Sequence, residues 1–344
     1  MLEDSQREFS DRSIRELLQK PENLRELLEE ALPDHADRFD VERMKPAPAE
    51  FLLGNWRRRA PDVMVEIPYR TEIGELTALV CVLVEHVTNA AWQIPLKTFQ
   101  YAAQYWEWQW RTWEEAAAPK PAFSLSPVVP IVLHTGLRPW GSARTLRDLF
   151  GPPEGLHLFV PDWQPLFWEL AKQSTDELLR GEHVFLQALA IFKADDAELE
   201  EARQLFVKIN ERINQLPDSR RVRWENLLHL LIGWAHNRRP KSERQSWRNI
   251  VANLETDADR RKEIDRMAIT IEQSIYLEGR QEGRQEGRQE EARRLLLKFG
   301  KKRFGPPSEA VVLQLEGIDD LDRLDRMSER LDSVGSWEDL SETL

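Results

Sequence analysis

Along this chain the spacing of apolar residues switches between a period near 3.6 and a period near 2, and the switches outline its elements. Ile14, Leu17, Leu18, Leu24, Leu27 and Leu28 recur at helical spacing with Pro21 between them. That pattern predicts two short helices over residues 12–31, the second closing near Pro33. Val63, Val65 and Ile67 then alternate with Asp62, Met64 and Glu66 as far as Pro68, which predicts a strand with one buried face. Glu72-Ile73-Gly74-Glu75 reads as a turn, and Leu76 to Glu85 is almost continuously apolar, as a strand covered on both faces should be.

Phe99, Ala102, Ala103, Trp106, Trp110 and Trp113 next predict a long amphipathic helix from Ile94 to about Ala117, with Trp108 off the apolar stripe. Stacking of nucleic-acid bases on these indoles is the alternative to core packing, and the helical spacing favours packing. Pro119-Lys120-Pro121 ends the helix, Val128 to Leu133 predicts a buried strand, and Leu156 to Val160 a shorter one. From about Trp163 to Leu277 the pattern is helical, broken at Gly181, at Pro217 and around Asn237 to Pro240. The order implies an α/β core with a helical annex.

Residues 278–290 repeat Glu-Gly-Arg-Gln three times before Glu290. As a helix, the repeat stacks each residue type at i,i+4, and its three glycines cost about 3 kcal/mol relative to alanine. A solvated connector is one reading. The other is a homo-oligomer contact, with the glycine stripe allowing close approach. Leu295, Leu296 and Phe299, then Leu313, Leu315, Ile318, Leu321 and Leu324, predict a small helical tail. The expected organisation is a core over 12–162, an annex over 163–277, the repeat over 278–290 and a terminal unit over 291–344.

With 344 residues, 41% of them hydrophobic, and thirteen tryptophans, the chain can bury a sizeable core. Cys81 is its single cysteine, which excludes an internal disulfide and a cysteine zinc cluster within one chain. Between Val80 and Val82 it reads as a small core residue. A net charge of −12 excludes binding nucleic acid by bulk attraction, so any such contact must be local. Arg57-Arg58-Arg59 is the foremost candidate, and Arg220-Arg221, Arg238-Arg239 and Lys301-Lys302-Arg303 are weaker ones. No apolar run reaches the ~20 residues of a membrane-spanning helix. The charged start, Met1 to Glu8, has no apolar segment, so the expectation is a cytoplasmic protein without a membrane partner.

The chemistry concentrates on two carboxylates. Asp62 opens the first strand and Glu85 ends the second. If the strands pair, the two acids converge on one face, where a hard divalent cation would relieve their repulsion. Glu26 or Glu30 of the early helices could add a third acid. His86 points the other way, and His134 reads as structural. His229 and His236 lie seven apart on one helix face, but no third ligand accompanies them. The chain carries no Walker-type loop, no Gly-x-Ser-x-Gly elbow and no GxGxxG.

Arg59-Ala-Pro-Asp62 through Tyr69, Leu83-Val-Glu-His86, Ile94-Pro-Leu-Lys97 with Tyr101, Pro127 through His134, Gly136-Leu-Arg-Pro-Trp140 and Leu146-Arg-Asp-Leu-Phe150 together resemble the Rpn family. Its members are recombination-promoting nucleases, also described as YhgA-like transposases, in the PD-(D/E)xK nuclease superfamily. The resemblance covers about residues 12–275, and the repeat with its tail resembles the family's usual C-terminal extension. It implies a restriction-endonuclease-like core, a mixed central sheet flanked by helices. It also implies Mg²⁺- or Mn²⁺-dependent cleavage of DNA, linked to recombination or mobile elements, with Asp62 and Glu85 as catalytic metal ligands. Val87 stands where the family shows Gln and the superfamily Lys, and an isopropyl group can neither position water nor stabilise developing charge. Either Gln93, Lys97 or Gln100 at the start of the next helix supplies that polar group, or the chain is a weakened or inactive DNA-binding or oligomeric protein of the same fold.

Overall fold

The computed structural model describes residues 11–48, 62–85, 92–119, 122–151, 155–254, 258–318 and 320–341, with backbone only at Leu83, Val84, Glu85, His157 and Glu316 and at parts of the last long helix. The chain folds as two compact units, Met1–Ala268 and Ile269–Leu344.

The first unit opens with α1 (residues 11–18) and α2 (Pro21–Ala31), the two helices the spacing predicts. Proline is tolerated at the first turn of α2 because an N–H there would have no helical partner. A five-stranded sheet follows in the order β1 (Lys45–Pro46), β2 (Val63–Thr71), β3 (Gly74–Glu85), β4 (Val128–His134), β5 (Leu166–Glu169). β1, β2 and β3 pair antiparallel, whereas β3, β4 and β5 are parallel. This is the mixed sheet that the expected fold class requires.

β2 and β3 form a tight hairpin whose turn is Glu72-Ile73; Gly74 has φ +147°, a region open to a residue without Cβ, and Thr71 Oγ1 donates to its carbonyl at 2.9 Å. The parallel step from β3 to β4 needs a crossover, supplied by α3 (Ile94–Glu115). One sheet face, with Leu79, Cys81 and Val132, packs against Ile94, Tyr101 and Tyr105 of α3 and against Trp140. Residues of the other parity, among them Val63, Val65, Ile67, Val80, Val82 and Leu133, are equally buried, so both faces are covered. Burial pushes the Cys81 thiol up to about 12, as suits a core residue rather than a nucleophile.

Three expectations change. The strand expected at Leu156–Val160 is a 3-10 turn over His157–Phe159 with Leu158 and Phe159 about 80% exposed, and the sheet's last strand is Leu166–Glu169, inside a stretch read as helical. Apolar content alone does not say which run finds a partner strand, and only the later one pairs with β4. On α3 the buried set is Ile94, Pro95, Thr98, Tyr101, Ala102 and Tyr105. Trp108 stacks on Tyr105 at 5.6 Å and packs against the core, while Trp110 is half exposed. The stripe rotates because tyrosines bury well once their hydroxyls are partnered: Tyr105 Oη donates to Glu66 Oε1 at 2.7 Å.

The rest of this unit is helical: α4 (Thr175–Arg180), α5 (Val184–Leu189), α6 (Leu199–Asn214), α7 (Arg221–Asn237), α8 (Arg244–Ala252) and the start of α9 (Ala258–Phe304). α7 is buried on almost every side, which explains its weak amphipathicity.

The second unit packs the end of α9 against α10 (Glu309–Glu316), α11 (Leu321–Arg330) and α12 (Trp337–Ser341) around Leu296, Leu315, Leu324, Met327 and Trp337. The Glu-Gly-Arg-Gln repeat lies within α9. After the helix end Gly305 adopts φ +86°, and its carbonyl accepts the Trp337 indole N–H at 3.0 Å.

Two glycines of α9 therefore predict opposite outcomes. A Cβ at Gly287 meets nothing within 4 Å, so Gly287→Ala should stabilise the helix by about 1 kcal/mol. A Cβ at Gly300 overlaps the Trp337 indole, so Gly300→Ala should destabilise by about 1–3 kcal/mol. Thermal unfolding of the full chain, followed by tryptophan fluorescence, checks both signs.

Candidate active site at the carboxyl ends of the parallel strands

In the β2–β3 ladder Val63 faces Val82, Met64 faces Cys81 and Glu66 faces Leu79. Directly opposed residues project to the same face, so even positions of β2 share a face with odd positions of β3. Asp62, immediately before the first paired residue, and Glu85, the last of β3, thus have matching parity at the same end of the sheet. The parallel ladders extend the row: Glu85 lies beside His134, and His134 beside Glu169. With strands about 4.8 Å apart, Glu85 and Glu169 are roughly 10 Å apart at Cα. This row crosses the carboxyl ends of three parallel strands, the place where open α/β sheets gather ligands.

Asp62 is largely covered, its side chain 16% exposed, and Arg15 of α1 donates to its Oδ1 at 2.5 Å. His134 is buried and meets the Trp140 ring edge-on at 5.4 Å. Glu169 is buried, yet its carboxylate accepts Trp140 N–H, Arg144 Nη2 and Lys172 Nζ, each at 2.7 Å. Burial alone would raise the pKa of this carboxyl; the bonds from Lys172, Trp140 and Arg144 outweigh it and hold the group below its usual range.

Of the other predicted site residues, Gln93 forms the N-cap of α3, and Lys97 and Gln100 are half-buried on its first turns. Arg57, Arg58, Arg59, His86 and Val87 lie outside the described residues. Among the described residues no group of three His, Cys, Asp or Glu side chains could hold a metal, and the Glu85 carboxylate is not among them.

A family model described as "Putative transposase, YhgA-like" matches residues 9–220. The chain belongs to this family. The description links the family to mobile elements. No curated protein and no solved structure matches the chain. The family match spans the whole sheet and the row at its end.

Glu26 belongs elsewhere. It is buried, accepts the N–H groups of Phe185 and Leu186 at the start of α5, and pairs with Arg223 of α7. Burial raises its pKa, and Arg223 with the Phe185 N–H pulls the other way. Its work is to join three helices, a role that spacing cannot reveal because its partners lie some 160 to 200 residues away. Glu30 sits 3.6 Å from His183. Arg238 and Arg239 are structural as well: Arg238 pairs with Asp195, and buried Arg239 donates to the carbonyls of Ala194, Asp195 and Ala197 and to Glu243. Arg221 pairs with Glu263. Glu169, in turn, escaped sequence reasoning, because its strand is four residues long and lies in a helical-looking stretch.

Removing Arg223 strands a buried carboxylate, so Arg223→Ala should cost about 3–5 kcal/mol in urea unfolding. Glu169, depressed in the folded state, contributes stability that is complete above its unfolded value near 4.5 and is lost as pH falls through its lower folded value. Glu169→Gln should abolish this part of the acid slope; an unchanged stability–pH curve below pH 4.5 would contradict the assignment.

Proposed function

We propose that this chain is a divalent-metal-dependent DNA endonuclease serving a mobile element or recombination. The β2–β3 register carries the reading, since it gives Asp62 and Glu85 matching parity at the end of the sheet where ligands gather. A second support is electrostatic. The covered Asp62 carboxylate already draws a cation, Arg15, and a second acid at a register position of matching parity adds to the demand for positive charge.

Two carboxylates make an all-oxygen donor set, which suits Mg²⁺ or Mn²⁺. Asp62 and Glu85 are the residues proposed to hold the ion. When bound, such an ion lowers the pKa of a water and neutralises charge on the scissile phosphate. Arg15 orients Asp62 through its short hydrogen bond. One of Gln93, Lys97 and Gln100 supplies the polar group that Val87 lacks, orienting the attacking water from the start of α3. Arg57, Arg58 and Arg59 precede β2 and are proposed to contact DNA phosphates.

Val87 favours a second reading, in which the chain keeps the fold and binds DNA, or assembles with copies of itself through the repeat, without cutting. Purified full-length protein incubated with supercoiled plasmid and Mg²⁺ or Mn²⁺ separates the two. The nuclease reading expects nicking or linearisation that falls at least ~10- to 100-fold in Asp62→Asn and in Glu85→Gln, the loss that even an outer partner of a metal produces. Cleavage undiminished in Asp62→Asn would remove the assigned site. Plasmid left intact by wild-type protein that nonetheless retards it would favour the second reading.

A further inference from the structure

The segment after β4, Thr135 to Phe150, carries Arg138, Arg144 and Arg147 against a single acid, Asp148, in a chain whose net charge is −12. Asp148 is occupied within the segment, accepting the N–H groups of Arg144 and Thr145 at 2.8 Å each. The segment is tied to the sheet through Glu169, which takes the Trp140 N–H and the Arg144 guanidinium. Lys172, just beyond β5, completes the same carboxylate's shell. Two cations around one buried acid leave one excess positive charge, and it is turned to solvent: Lys172 is 54% exposed and Arg144 35%, whereas Glu169 is 2% exposed.

We propose that Arg144 and Lys172, with the exposed Arg138 two residues before the anchored Trp140, form a phosphate-binding rim that takes the backbone of duplex DNA beside the row of strand ends. The choice of DNA as ligand rests on the proposed function; the rim itself rests on the network. Arg144 is held in two ways, by Glu169 and by the Phe167 ring 4.2 Å beneath its guanidinium carbon, so its planar fork loses little entropy on meeting a phosphate. Glu169 marks the rim's position roughly two strand spacings from Glu85. A backbone crossing the strand ends would then be gripped on one side of the carboxylates. For a strongly acidic chain such fixed local cations are the means of holding a polyanion, because the long-range field repels it.

The test is equilibrium binding of a short fluorescein-labelled duplex, read by anisotropy across a salt series in chelator so that no cleavage intervenes. Arg138→Gln and Lys172→Gln, singly and together, leave Arg144 and Trp140 on Glu169, and thermal unfolding verifies that they fold. Arg203→Gln, which removes a surface arginine paired with Glu200, is the control. The rim expects several-fold weaker binding at low salt in each single variant. The slope of log K against log salt should drop by about one for each cation removed, with no change in the control. Unchanged affinity and slope, an equal loss in Arg203→Gln, or absence of duplex binding by wild-type protein would each overturn the rim. A chain that binds with the expected slopes but cuts nothing keeps the rim and loses the nuclease reading. Asp62-dependent cutting with unaltered binding in the variants does the reverse.

Discussion

Everything at the candidate site depends on the pairing register of β2 through β5. Strand positions alternate between faces, so sliding β3 by one residue against either neighbour would break the parity that position 85 shares with Asp62 and His134. The register is pinned in two ways: a two-residue hairpin turn fixes β2 on β3, and β2 alternates buried odd positions with partly exposed even ones, which a one-residue slip would exchange. The polar row at the strand ends is therefore a consequence of how the apolar core closes, with α3 pressed on one face by Tyr101, Tyr105 and Ile94.

Charge is handled differently at the two places where acids are covered. Glu26 is sunk among helices, with one guanidinium and two backbone donors to hold it, and its raised pKa reflects how much burial costs. Glu169 is equally covered, but its shell has two cations that reach solvent, and its pKa is lowered. The first arrangement joins distant parts of the chain. The second fixes cations at the edge of a sheet, where they can meet something outside the protein.

The family assignment and the fold agree with each other over the same residues. The YhgA-like match ends within the helical part of the first unit, after the sheet and α6 are complete. Beyond it the long α9 leads into a second unit with its own core of leucines and Trp337, and that core explains why Gly300 has no side chain whereas Gly287 faces open space.

Much of this was legible in the residues themselves. The two early helices, the β2–β3 hairpin, the crossover helix and the β4 strand follow from local periodicity, which acts over a few residues and needs no partner to be seen. The parity of Asp62 and Glu85 follows from it too, once the turn between them is recognised. Tertiary structure decided the rest. Which short apolar run became β5, which face of α3 turned inward, and whether Glu26, Arg239 and Glu169 met solvent, a carbonyl or an opposite charge all depend on residues far away in sequence. Periodicity says that a side chain has a face; only packing of distant segments says what lies against it.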